Sequence, residues 1–290
     1  MSYPFILGTA QFGSHYGVVN SDGCPSDEEV KLILETIIEN GVNFLDTAFS
    51  YGNSLDRIAF LSPHKEIQKA QLINKFNVSG DLEKTYSKLL EYLKKTGLKR
   101  FYGLLIHDLQ NLTPTLEKDV CAFLKKVKDE GIVYKVGVSV YSPSDLKGAL
   151  DTLPIDLIQC PINLFDQRFL ADDVLRLLKD RNIEIHARSL FLQGILLSEE
   201  MPQSLKNLQS TWNLYRNALL EARSTSLQFI LSWIKSIQGI DKWVIGINKK
   251  HELSEILAGY DESLSNPAYN WAKFNIPHNP DIDPRNWEMK

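Results

Sequence analysis

The feature that most constrains this chain is an alternation: short β-rich apolar runs take turns with longer amphipathic segments from one end to the other. The eight runs are Phe5 to Ala10, Asn43 to Thr47, Ala70 to Lys75, Phe101 to His107, Lys135 to Val140, Leu157 to Cys160, Ile183 to Ala187 and Lys242 to Gly246. Strands separated by helical segments predict a parallel sheet with crossover helices. The intervening segments carry their own start and stop signals. Ser26 and Glu29 are spaced for a capping box, Val30, Ile33, Leu34, Ile37 and Ile38 form one apolar stripe, and Gly41 ends it. The pattern repeats before Gly97 and Gly131, and Ser142-Pro143 opens a helix with proline at its first position.

An open doubly wound sheet would need a glycine-rich turn such as G-x-G-x-x-G after the first strand, and Gly8-Thr9-Ala10-Gln11-Phe12-Gly13 does not supply it. The expected fold is therefore an α/β (β/α)₈ TIM barrel. With 290 residues, 43% hydrophobic and 23% charged, the chain suits one large core, and residues 1–290 read as a single domain. Two segments break the alternation. Met201 to Arg223, polar with Trp212 and Tyr215 embedded, reads as an inserted helical loop near the barrel mouth. The tail 266–290 holds Pro267, Pro277, Pro280 and Pro284, which forbid a long helix, while Tyr269, Trp271, Phe274 and Trp287 should pack it onto the barrel.

The net charge of −4 and isoelectric point near 5.9 leave no electrostatic footprint for nucleic acid or an anionic membrane. No signal peptide or bilayer-spanning run is legible, so a soluble, cytoplasmic protein is expected. Cys24, Cys121 and Cys160 are too widely spaced for a zinc site and read as reduced thiols. Of six histidines only His107 ends a strand, so no metal is expected. Nothing in the chain speaks to oligomeric state.

In a (β/α)₈ barrel, active sites form where the C-terminal ends of the strands converge. Polar residues end three consecutive runs: Asp46 (with Tyr51 following), Lys75 and His107. Lys75 follows Leu-Ile-Asn on a buried strand and needs a partner to offset its desolvation. A tyrosine titrates near ~10, too high for efficient acid catalysis at neutral pH. The expectation is that the Lys75 cation lowers that value, that Asp46 holds Lys75, and that His107 orients a substrate.

The stretch Gly41-Val42-Asn43-Phe44-Leu45-Asp46-Thr47-Ala48-Phe49-Ser50-Tyr51-Gly52 closely resembles a signature of the aldo-keto reductase family. Ile73-Asn74-Lys75, Leu105-Ile106-His107 and Gly131 to Ser139 resemble its third-strand lysine, fourth-strand histidine and fifth-strand segment, in the same order. The resemblance implies NADPH, with NADH as the alternative cofactor, and reduction of an aldehyde, ketone or sugar-like carbonyl with the proton from Tyr51. It makes Gly8, Thr9, Asp46, Ser139, Gln159, Arg188, Ser189, Gly194, Gly246, Lys249 and Glu255 cofactor residues. Among them Ser139 and Gln159 fall at carboxamide positions, Ala187 to Gly194 is a phosphate loop, and Lys249 grips an adenosine 2′-phosphate. Val140, Arg188 and Ile256 replace the family's usual residues. Phe12, Phe49 and His107 are the substrate candidates, with Gln11, Phe165, Trp212 and Tyr215 as further residues able to line the mouth. Two other readings are a catalytically weak nicotinamide-binding barrel serving as a regulatory or binding subunit, and a metal-dependent barrel, which would want several ligands at strand ends.

Overall fold

A computed structural model of the chain describes residues 3–61 and 68–287. Eight parallel strands close on themselves in sequence order, β1 pairing with both β2 and β8. They are β1 Phe5–Gly8, β2 Phe44–Asp46, β3 Gln71–Phe76, β4 Phe101–Ile106, β5 Val133–Ser139, β6 Leu157–Pro161, β7 Glu184–Arg188 and β8 Lys242–Gly246. The expected (β/α)₈ barrel is the fold. Closure leaves no exposed sheet edge.

Two hydrophobic layers follow from strand alternation. Ile6, Ile73, Leu105 and Leu157 form a small buried cluster inside the barrel. A much larger core joins the outer faces of the strands to the helices, among them Leu7, Leu45, Leu72, Leu104 and Ile158 with Val30, Ile33, Leu89 and Val120. Two residues beyond each inner-cluster residue, on the same face, come Gly8, Lys75, His107 and Gln159. The alternation that fills the barrel thus aims these positions into its mouth.

The helix signals are largely realised. Asp81 caps Leu82–Thr96, which ends at Gly97 in the left-handed region at φ 70°, and Ser142 makes a full capping box with Asp145 at the start of Pro143–Thr152. At Asp27–Glu39 the expected box is only half made. The Ser26 side chain accepts from the Glu29 N–H at 3.2 Å, but the Glu29 carboxylate turns away to the N–H of Lys250. The first strand is also shorter than expected, because Ala10–Gly13 coils into a single helical turn.

The Met201–Arg223 segment folds as a 3₁₀ stretch, Gln203–Leu208, and a helix, Gln209–Ala222. Trp212 and Tyr215 are buried in the core, with the Tyr215 hydroxyl donating to the Leu196 carbonyl at 2.8 Å. The tail runs through short 3₁₀ turns and buries Trp271, Phe274, Ile282 and Trp287. Residues 288–290 of that tail lie outside the described residues.

Candidate active site

At the C-terminal ends of the strands a cavity of about 580 Å³ opens into the barrel. At its inner end, Lys75 is almost fully buried and its ammonium donates to Asp46 Oδ2 at 2.5 Å, to the Thr47 carbonyl at 3.1 Å and to Tyr51 Oη at 3.5 Å. Gln159 Nε2 donates to the other carboxylate oxygen of Asp46 at 2.8 Å. His107 stands edge-on to the Tyr51 ring, with centroids 5.5 Å apart, and its Nδ1 lies 3.0 Å from Ser50 Oγ. The structure therefore brings Asp46, Tyr51, Lys75 and His107 into one cluster.

The loop carrying Tyr51 is fixed by backbone contact. Gly13 and Gly52 touch so closely that a Cβ on Gly13 would lie 1.8 Å from the Tyr51 carbonyl oxygen, and one on Gly52 2.1 Å from the Gly13 carbonyl oxygen. Ser54 locks the same loop to the residue that follows β1, donating to the Thr9 carbonyl at 2.9 Å and approaching Thr9 Oγ1 at 2.8 Å. Thr9 Oγ1 in turn donates to the Asp46 carbonyl at 3.0 Å.

Burial dominates the electrostatics. Desolvation, followed by the Asp46 carboxylate, holds the Tyr51 phenol well above its ordinary pKa, with Arg188 pulling the other way. The expected depression of Tyr51 by Lys75 is thus reversed, because desolvation of the buried phenol outweighs the pull of nearby cations. Desolvation lowers the Lys75 pKa and Asp46 opposes that change. His107 is pushed down to about 4, first by burial and then by the Lys75 cation, and is neutral at physiological pH.

Gly8, Thr9, Asp46, Tyr51, Gln159, Arg188, Ser189, Gly194, Gly246 and Glu255 all line the cavity, as does Gln11. The loop after β7 takes left-handed backbone at Ser189, Leu192, Gln193 and Gly194, conformations that cost non-glycine residues roughly 1–2 kcal/mol each. At Gly246 a Cβ would meet the Gln11 amide at 2.4 Å, and the buried Asn248 Oδ1 has no hydrogen-bond partner among the described residues. An open backbone, an orphaned acceptor and a strained loop along one cleft fit an extended polar ligand such as a nicotinamide dinucleotide.

Several expected residues lie elsewhere. Phe12 is fully buried in the core, its position set by the Ala10–Gly13 turn. Phe49 packs beside Tyr92 under the Lys88 ammonium, and Phe165, Trp212 and Tyr215 are core residues, so none of the five lines this cavity. Ser139 faces a neighbouring cavity of about 340 Å³ between the loops after β4 and β5. Lys249 is ion-paired with Asp22 at 2.6 Å. Sequence reasoning passed over Tyr16 and Tyr141. Tyr16 lines the cavity although 42% exposed, and its phenol is pushed up to about 12 by desolvation and then by Tyr51. The Tyr141 ring lies between the guanidinium groups of Arg188, 4.1 Å away, and Arg285, 3.6 Å away. Tyr141 comes two residues after the end of β5, a position that could have flagged it.

The model of the aldo/keto reductase family matches residues 4–276. The chain belongs to this family. The aldo/keto reductases are oxidoreductases that generally use a nicotinamide cofactor. An uncharacterized oxidoreductase of Schizosaccharomyces pombe is 24% identical over 225 residues, 70% of this chain and 72% of its own length. The Glycine max protein named probable aldo-keto reductase 1 is 25% identical over 265 residues, 80% of this chain and 76% of its own. Among solved structures, an aldo-keto reductase of Bacillus halodurans in its holo form superposes with a TM-score of 0.72 over 97% of this chain and 95% of that one. At 14% identity that likeness speaks to the fold alone. Among the described residues no helix is long and apolar enough to cross a membrane.

Proposed function

We propose that this barrel reduces an aldehyde or ketone, of which a sugar-like carbonyl is one kind, to the corresponding alcohol with a reduced nicotinamide dinucleotide. The observation that carries this reading is the Tyr51 hydroxyl, lining the cavity with the Lys75 ammonium 3.5 Å behind it. Tyr51 and Arg188 would border the nicotinamide end, the backbone of Ser189 to Gly194 and Gly246 the phosphates, and Asn248 and Glu255 the adenosine. When bound, the cofactor supplies the hydride equivalent that reaches the carbonyl carbon.

The chain's own residues handle the proton. Because its phenol is held above the ordinary pKa, Tyr51 keeps its proton at neutral pH and can give it to the carbonyl oxygen as negative charge grows there. Lys75 is placed to stabilise the phenolate left behind, and Asp46, held by Gln159, keeps Lys75 charged and in position. Neutral His107, with Nδ1 engaged by Ser50, has Nε2 free of any described protein partner to hydrogen-bond the carbonyl oxygen. The same protonation state disfavours alcohol oxidation near pH 7, which would need Tyr51 as a base.

The test is cofactor oxidation, followed optically against a panel of aldehydes, ketones and reducing sugars. Turnover of at least one class is expected. Tight dinucleotide binding with no turnover across the panel would instead support a regulatory or binding subunit.

A further inference from the structure

The expected grip on an adenosine 2′-phosphate rested on Lys249, beside the N-terminus of the helix Lys250–Glu262. The chain's own carboxylates already engage the groups that would do the gripping. The Lys249 ammonium is paired with Asp22 at 2.6 Å. Glu252 accepts from the backbone N–H of Asn248 at 2.6 Å and of Lys249 at 3.2 Å. Glu29, diverted from its own helix cap, accepts from the Lys250 N–H at 2.5 Å. A helix N-terminus attracts anions because its first amides are unpartnered and partially positive. Here Glu29, from a segment distant in sequence, and Glu252, from the first turn of the helix itself, have taken that role.

Asp22, Glu252 and Glu255 also line the cavity, which makes this end of it acidic. A 2′-phosphate carries a charge of roughly −1.5 to −2 and would have to displace these carboxylates or sit against them. An unphosphorylated ribose brings hydroxyl donors, which carboxylates accept well. The exposed Lys250 ammonium does not reverse the balance, being a hydrated point charge on a flexible stem.

We infer that the cavity selects NADH over NADPH, with Asp22, Glu29 and Glu252 as the discriminating residues. This selectivity rests on the nicotinamide dinucleotide reading of the cavity, and a binding measurement separates the two. Quenching of tryptophan fluorescence is titrated with NADH and with NADPH on the full-length protein. NADH is expected to bind at least about tenfold more tightly, a difference of ~1.4 kcal/mol, and the ratio should shrink as added salt screens the carboxylates. Asp22→Asn frees Lys249 while leaving the Glu252 cap in place, so NADPH should tighten several-fold relative to NADH. NADPH binding as tightly as NADH, or more tightly, would overturn the selectivity and leave the dinucleotide reading standing. So would an unchanged ratio in the Asp22→Asn, Glu252→Gln double variant. Binding of neither nucleotide would overturn both.

Discussion

Lys75 shows how one buried charge organises the residues around it. A lone ammonium inside a barrel would lose its proton, so Asp46 at 2.5 Å and the Thr47 carbonyl are conditions of its presence. Truncation of Lys75 to Met should abolish turnover and destabilise the fold by roughly 3–5 kcal/mol, because the buried Asp46 carboxylate is left unpaired. Denaturant unfolding measures this, and a loss below about 1 kcal/mol would contradict the pairing. His107 makes a prediction in pH. Its pKa is about 4 in the folded chain against 6.5 for the free side chain, so between those values the unfolded chain binds more protons. Its contribution to stability is complete above pH 6.5 and is lost as pH falls toward 4. Thermal midpoints recorded from pH 7 to 4 should therefore decline less steeply for His107→Gln than for the native chain, and parallel curves would refute the burial effect.

At the scale of elements, the strand-end positions of Asp46, Lys75 and His107 were legible because strand alternation and barrel geometry jointly dictate them. The position of Tyr51 was legible only through its motif, since a loop residue has no periodicity to betray it. What was not legible depended on where a chain end turns. Phe12 reads as a mouth residue only if Thr9 and Ala10 continue the first strand. The coil at Ala10–Gly13 instead places it in the core. Glu29 likewise fits a local capping box, and only the folded barrel shows a competing amide on a helix 221 residues away in sequence. The Gly13 and Gly52 contact belongs to the same class. Gly52→Ala should cost roughly 1–3 kcal/mol, since the added Cβ meets backbone at 2.1 Å and the residue sits at φ 54°. It should also lower kcat by displacing Tyr51. Native stability and turnover in this variant would show that the contact can relax without consequence.

Across the whole molecule, the two ends of the barrel do different work. At the N-terminal end of the strands Glu184 accepts from Tyr102 and His186, each at 2.6 Å, and pairs with Lys135. These partners outweigh burial and bring its pKa down to about 2. Charges in that location stabilise the barrel, whereas those at the opposite end serve its cavity. The tail links fold to site. Phe274 is fully buried among Tyr215 and Phe229, and eleven residues further on Arg285 stacks on Tyr141 beside Arg188. Phe274→Ala should cost about 3–5 kcal/mol by urea unfolding, and a cost under about 1 kcal/mol would mean the tail is not part of the core. The central claim is that Tyr51 delivers the proton in carbonyl reduction, and Tyr51→Phe tests it most directly, because it removes one oxygen and little else. With the best substrate of the panel, kcat should fall by about 10²- to 10⁴-fold while dinucleotide affinity stays within about twofold of native. Undiminished turnover by Tyr51→Phe would contradict it.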